Sequence, residues 1–405
     1  MLNAVTGLRC VVCGTTYGVD VPYTCPSCGL EGILDVQYDY ERIARALTRD
    51  ALARRPRDHW RYRELIPIAP DASLPPLQVG WTPVYEAPRL AQKAGVRRLH
   101  LKDEGRNPTA SFKDRASSVG VVKARETGQE TIACASTGNA ASSLAGFAAS
   151  VGLKAVIFVP ERAPDPKVTQ LLIFGATVIK VKGDYAVTWE LCQRACERRG
   201  WYNRNCAVNP YLVEGKKTCG LEIAEQCGDA MPDWVAVSVG DGCTIAGVWK
   251  GLVEMRRLGF IDRLPRLLGV QAEGARPVVD AFRGKRDLVP GPANTFADSI
   301  SVGHPRNWRK ALKAIADSGG TMVAVSDAEI LEAMRLGARL GGVFGEPAGA
   351  AALAGVMRAG IAKSESALAV VTGNGLKDIR GAMEAVGPPL VVEPDLAALD
   401  KVLPL

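Results

Sequence analysis

From about residue 80 onward the chain repeats one pattern: a short apolar run, a turn often carrying glycine, then a longer stretch with helical spacing. The runs include LHLK, TIACA, KAVIFVP, TVIKV, WVAVSVG, LLGVQAEG and LAVVTGNG. Continuous apolar runs of this length suit strands buried on both faces, and the helices between them supply the crossovers that parallel pairing needs. The recurrence restricts the fold class to α/β, with parallel-rich sheets covered by helices. At 405 residues the chain is too long for one small core, and 42 glycines and 25 prolines provide the short turns such alternation requires.

The first 30 residues stand apart. CVVCGTTYGVDVPYTCPSCG sets Cys10-x2-Cys13 and Cys25-x2-Cys28 across a short gap. Two such knuckles present four thiolates to one zinc ion, and a site closed by four sulfurs is structural, with no position open for catalysis. The other seven of the eleven cysteines are scattered through apolar segments, as free thiols in a reducing compartment are. Only His59, His100 and His304 occur, none in a ligand-spaced pair, which argues against a second metal site.

Composition excludes several classes. The net charge of +7 comes from scattered pairs such as Arg54/Arg55 and Arg198/Arg199, and no clustered basic stripe marks a nucleic-acid surface. MLNAVTGLRC lacks a secretory pattern, and no apolar stretch is long enough to span a bilayer. The expectation is a soluble cytoplasmic protein with no nucleic-acid or membrane partner. Residues 39 to 55, DYERIARALTRDALARR, read as one helix, followed by a Pro-rich connection. The polar, turn-rich WYNRNCAVNPYLVEGKKT reads as a domain junction.

Five turns carry chemistry. In NPTASFKDRAS, Lys113 falls in the first turn of a helix, where the macrodipole disfavours a cation; a strained lysine titrates low and becomes a nucleophile. The plain alternative is a surface charge paired with Asp114. ACASTGNAAS runs a strand through Ser136, Thr137, Gly138 and Asn139 into a helix whose N–H groups suit a carboxylate. VSVGDGCT places Gly240, Asp241, Gly242, Cys243 and Thr244 where backbone N–H groups can hold a phosphate, provided that Asp241 points away. VVTGNG ends a strand at Thr372, whose hydroxyl can face a ring nitrogen, and GVFGEPAG puts Glu346 at a helix start, where capping is the default reading. A low-titrating lysine, a carboxylate loop, a phosphate loop and a hydroxyl facing a ring nitrogen together describe a pyridoxal 5'-phosphate site.

The same residues resemble the threonine synthase family of fold type II pyridoxal phosphate enzymes. The likeness runs from the cysteine knuckles and GWTP through KDEGRNPTASFKDR, ASTGNAAS, NPYLVEGKKT, QAEGARP, EPAGAAALAG and VTGNGLKD. It implies a tryptophan synthase β-like fold: a zinc-ribbon-like segment at 1–38, a large cofactor domain at 39–125 and 218–405, and a small mobile domain at 126–217. It implies Lys113 as the Schiff-base lysine, Asn139 on the phenolic oxygen, Thr372 on the ring nitrogen and residues 240–244 around the cofactor phosphate. Ser136, Thr137, Gly138 and Asn205 then hold substrate, and a homodimer is expected. The implied reaction converts O-phosphohomoserine and water to threonine and phosphate. Three positions depart from the pattern around the substrate phosphate, Ala140, Cys206 and Leu212, with Lys216, Lys217 and Lys167 available to compensate. Those departures keep open a β-elimination or β-replacement enzyme, cysteate synthase-like or a serine/threonine ammonia-lyase. A zinc-ribbon binding module on an inactive body is the reading from a different class.

Overall fold

The computed structural model describes residues 4–21, 23–206 and 208–403. Three sheets organise them. The N-terminal sheet is antiparallel, of β1 (Val5–Cys10), β2 (Thr16–Tyr17) and β3 (Leu34–Tyr38) in the order β2-β1-β3. The largest sheet takes β4 (Val84–Glu86) and β5 (Arg98–Asp103) from one part of the chain. After β6 (Thr131–Ala135), β7 (Lys154–Pro160), β8 (Thr177–Val181) and β9 (Tyr202–Asn203), it is completed by β10 (Trp234–Ser238), β11 (Arg266–Ala272), β12 (Thr321–Val325) and β13 (Ser366–Val371). Its order is β12-β11-β10-β13-β5-β4, parallel throughout except for β4 at the edge. The third sheet, β8-β7-β6-β9, is wholly parallel.

Each of the seven apolar runs lies in one of these parallel strands. β13 is the clearest case, with all six of its residues buried, as a strand covered by helices on both faces must be. It lies between β10 and β5, so its carboxyl end opens near the middle of the sheet, where ligands of open α/β sheets collect.

Residues 39 to 55 do not form one helix. They form Tyr40–Ala46 and Arg49–Arg54, because Thr48 leaves the helical region and caps the second piece, its Oγ1 accepting from Ala51 N at 3.1 Å. The polar stretch read as a domain junction is largely interior. Asn203, Arg204, Asn205, Asn209, Lys216 and Lys217 are all buried, and the helix Tyr211–Cys227 runs through the second half. Ala207 lies outside the described residues.

Close helix packing carries that segment to the site. A Cβ on Gly215 would lie 2.0 Å from the Arg115 carbonyl oxygen, and one on Gly220 would lie 2.1 Å from that of Val248. Glycine at these positions lets the helix Tyr211–Cys227 press against both the lysine-bearing helix Asp114–Glu126 and the helix Cys243–Arg257. The N-terminal sheet sits on the same helices: Tyr38 donates to Glu214 at 2.8 Å, and Asp35 pairs with Lys250 at 3.3 Å and with Lys310. Among the described residues no helix is long and apolar enough to cross a membrane.

Candidate active site

The lysine segment is stitched to the end of β13 by backbone bonds. Phe112 N donates to the Thr372 carbonyl at 2.8 Å, Asn374 N donates to that of Ala110 at 3.0 Å, and Ser111 and Gly373 form a β-bridge. Lys113 and Thr372 thus arrive at one place although 259 positions separate them. The turn that delivers Lys113 is over-determined. Ala110 adopts a left-handed φ of 63°, and its N–H is held by the Asn107 carbonyl at 2.8 Å. Asn107 donates in turn to both the backbone and the side chain of Glu104, each at 3.0 Å.

Asp114 does not pair with Lys113. Its carboxylate accepts from Thr109 N at 2.6 Å and from the Thr109 hydroxyl, closing the turn from the other side. Arg115 anchors the helix start from beneath: its guanidinium reaches Glu104 at 2.7 Å and Glu222 at 2.6 Å, with all three side chains wholly buried. Lys102 adds a further contact to Glu222 at 3.0 Å. Lys113 itself is the N-cap residue, one position before the helix, with αR backbone angles. Burial, and after it the neighbouring Lys216 ammonium, holds its amine below the ordinary lysine range. The amine is therefore poised to be neutral at a lower pH than a surface lysine.

The helix Asn139–Val151 starts beside it. Asn139 Nδ2 donates to the two carboxylate oxygens of Glu346 at 2.7 and 2.9 Å and to Ser299 Oγ at 3.4 Å. The expected capping role of Glu346 is not met: its side chain makes no capping bond and is spent on Asn139 instead. Its own N–H donates to the Gly373 carbonyl at 2.9 Å, which ties it to the end of β13. Burial raises the carboxyl above its usual range. Lys377, also absent from the sequence expectations, donates to the Thr109 carbonyl at 2.9 Å and to Ser142 at 3.1 Å, and both Lys377 and Glu346 line the cleft. The signal that could have found Glu346 is the Gly373 it packs on, where a Cβ would lie 2.6 Å from its carboxylate.

Residues 240–244 join β10 to the helix Cys243–Arg257. Gly242 has φ 90°, and a Cβ there would lie 2.8 Å from the Asn307 carbonyl oxygen. Asp241 accepts from Arg306 N at 3.3 Å, and burial raises its carboxyl above the usual range. The segment Asp298–Ile300 adjoins both loops: the Ser299 backbone abuts Gly240 and its hydroxyl meets Asn139. Gly138 N donates to Ser136 Oγ at 3.2 Å, and Thr137, Gly138 and Asn139 line the same cleft as Glu346. Asn205 lies behind this turn, where its Oδ1 accepts from Ala135 N at 2.9 Å and its Nδ2 reaches Cys192 Sγ at 3.5 Å.

The three lysines expected near a substrate phosphate have different fates. Lys217 is locked between Glu214 at 2.6 Å and Glu254 at 2.9 Å, and Lys167 is paired with Asp298 across the mouth of the cleft. Lys216 stays in the interior, bonded to Cys206 Sγ at 2.7 Å, and Leu212 is core. At the N-terminus the sulfur atoms of Cys10, Cys13, Cys25 and Cys28 lie within 4.8 Å of one another.

A low-titrating lysine at the carboxyl end of a central parallel strand, an Asn–Glu pair lining the cleft and a glycine turn too tight for a Cβ together suit a pyridoxal phosphate group. Residues 76–373 match the family of pyridoxal-phosphate dependent enzymes. The chain is 40% identical to the threonine synthase of Methanocaldococcus jannaschii over 98% of both chains. It is 39% identical to that of Mycobacterium tuberculosis over 78% of this chain and 87% of the relative. Among solved structures, the processed threonine deaminase isoform 2 of Solanum lycopersicum shares the fold, with TM-score 0.64 and 23% identity over 76% of this chain and 88% of that one. The chain belongs to the threonine synthase family of pyridoxal-phosphate dependent enzymes, and action on a different amino acid is not favoured.

Proposed function

We propose that this enzyme converts O-phosphohomoserine and water to threonine and phosphate, with Lys113 as its central proton carrier. The observation that carries the assignment of Lys113 is its seat, stitched by backbone bonds to Thr372 and within reach of the Glu346 charge. The residues present suit the cofactor: Lys113 for its aldehyde, Asn139 for its phenolic oxygen, Thr372 for its ring nitrogen and residues 240–244 for its phosphate. When bound it withdraws electrons from the substrate carbons next to the amine.

The chain's own groups do the rest. Lys113, whose amine burial holds below the ordinary lysine range, takes protons from the substrate's α and β carbons and delivers protons to the α carbon and to the γ carbon, which becomes the methyl group. Ser136, Thr137 and Gly138 receive the substrate carboxylate at a helix start, with Asn205 bracing the strand behind them. A neutral hydroxyl at Thr372 leaves the ring nitrogen unprotonated, which limits electron withdrawal and curbs side reactions. The γ-phosphate leaves with its C–O electron pair, and water adds at the β carbon. The assay is release of phosphate and formation of threonine in equal amounts from O-phosphohomoserine; holoenzyme that turns over serine or threonine but not this substrate would contradict the reading.

Arg204 and Lys216 are buried cations, and among the described residues neither has a carboxylate partner. A buried charge without a counter-ion is costly, so an anion belongs beside them. Lys216 has three donors, and Cys206 takes one. Leu212 has no polar group to offer, and in this reading Lys216 receives the substrate phosphate. Lys216→Met raises KM for O-phosphohomoserine about tenfold or more, the value of one charge-assisted contact; an unchanged KM removes Lys216 from the phosphate site.

The four N-terminal sulfurs suit a structural zinc. A Cβ on Gly32 would lie 2.5 Å from the Cys25 Cβ, so the knuckles close only over glycine. Purified protein is expected to carry one zinc per chain, and Cys13→Ser to lose it and lower the melting temperature; metal analysis without zinc in the wild type contradicts this. The smaller parallel sheet, with residues 126–217, is proposed to move as a unit, and Lys167 with Asp298 closes the mouth. A homodimer is proposed from the exposed Leu172, Ile173 and Phe174, and light scattering tests it.

A further inference from the structure

The Cys206 thiol has no role in that reaction, yet it sits in a built cluster. The Lys216 ammonium donates to Cys206 Sγ at 2.7 Å, with the lysine side chain almost wholly buried. Arg204 lies two residues away and donates to Ser117 Oγ at 3.0 and 3.3 Å. Cys243, the first residue of its helix, is buried and packs against Cys206. Val11, Ile33 and Val213 surround the pair with apolar contacts. Cys206 itself is partly exposed, so a small reagent reaches it.

The groups whose charges bear on the Cys206 sulfur are Lys216, Arg204 and Lys113, and the Asp241 carboxyl, raised by burial, adjoins it. A hydrogen bond with Cys243, then Lys216, Arg204 and Lys113, draws the Cys206 thiol well below its usual range, while Cys243 moves well above. The two thiols therefore divide the labour, one as attacking sulfur and one as proton-bearing neighbour. Burial instead raises the thiols of Cys134 and Cys219.

We propose that Cys206, paired with Lys216 beside Lys113, is a modification site for peroxides and soft electrophiles, with Cys243 as the thiol that resolves its oxidised form. With hydrogen peroxide the Cys206 sulfur attacks one oxygen, the O–O bond breaks and, with one proton taken up, water leaves. This gives a sulfenic acid, the sulfur being oxidised by two electrons and the peroxide reduced. The Cys243 sulfur then attacks that sulfur, its proton leaves with the hydroxyl as a second water, and a disulfide forms. With an alkyl iodide the sulfur attacks carbon and iodide leaves. The disulfide withdraws the sulfur from Lys216 next to the substrate cleft, so activity falls until a dithiol restores it. The inference stands independently of which amino acid is the substrate.

The test is iodoacetamide labelling of the holoenzyme from pH 5.5 to 9, read at each cysteine by peptide mass. Cys206 is expected to label at pH 6 at least about tenfold faster than the partly exposed Cys227, with a rate nearly level from pH 6 to 8. A Cys206 rate that climbs about tenfold per pH unit through this range, as an ordinary thiol's does, overturns the proposal. Lys216→Met is expected to restore that ordinary profile; an unaltered profile overturns the role of the ammonium. In the peroxide arm, a Cys206–Cys243 peptide lighter by two hydrogens, reversed by dithiothreitol, is expected. Cys243→Ser should instead give a sulfenic acid at Cys206, trapped by dimedone. Oxidation confined to Cys10, Cys13, Cys25 and Cys28 with Cys206 intact overturns it.

Discussion

Lys113→Ala is expected to cut turnover about a thousandfold or more while leaving the fold in place. The direction follows from what the side chain does and does not hold. Burial and Lys216 hold its amine below the ordinary lysine range, which serves the proposed reaction and not the fold. The turn around it is held by other groups: Asp114 on Thr109, Arg115 on Glu104 and Glu222, and the backbone bonds to Thr372 and Asn374. Initial rates together with a melting temperature close to that of the wild type separate the two effects. Turnover within tenfold of the wild type would remove Lys113 from the chemistry, whatever its position.

The second large effect concerns stability. Arg115→Met leaves Glu104 and Glu222 wholly buried without their shared guanidinium, and Lys102 is then the one cation bonded to Glu222 among the described residues, beside the Thr82 N–H. The intact cluster need not add much net stability, because desolvation offsets much of the attraction. Breaking it is different: an uncompensated buried carboxylate costs about 3 to 5 kcal/mol. Arg115 follows Lys113 by two residues, so the substitution also loosens the seat of the proposed proton carrier, and turnover should fall together with the urea midpoint. The double variant Arg115→Met/Glu104→Gln should recover part of the stability, since it removes one of the stranded charges. A change below about 1 kcal/mol in the single variant would mean that water or a rearranged Lys102 satisfies both carboxylates.

Both expectations arise in one short segment, and its legibility was uneven. Lys113 stood out because a cation at a helix start needs a reason, and KDR supplied the residues. The part played by Arg115 was not legible: its partners Glu104 and Glu222 sit 11 residues before it and 107 after it, and only the packed helices bring them together. The strands were readable because β13 and its neighbours are apolar at successive positions, which the pattern counts directly. The break at Thr48 was not, since its hydroxyl satisfies the same side-chain periodicity while its backbone leaves the helix.

Glu346 and the 201–218 segment differ from expectation for one shared reason. A carboxylate before proline at a helix start usually caps, and a run of Asn, Arg and Lys usually faces water. Here both are buried against specific partners, some near and some far in sequence: Glu346 against Asn139, Lys216 against Cys206 and Lys217 between Glu214 and Glu254. Polarity along the chain measures the cost of burial but not the pairing that offsets it. For Asp241, expected to point away from the cradle, the side chain bonds to Arg306 N.

Lys113 has lysine neighbours that could compete for its role, since Lys216 and Lys377 also lie near the cleft. The most direct measurement is borohydride reduction of the cofactor-loaded protein, followed by digestion and peptide mass analysis. A pyridoxyl adduct on Lys113 alone is expected. An adduct on Lys216 or Lys377, or none on Lys113 in protein that still turns over, would contradict the assignment.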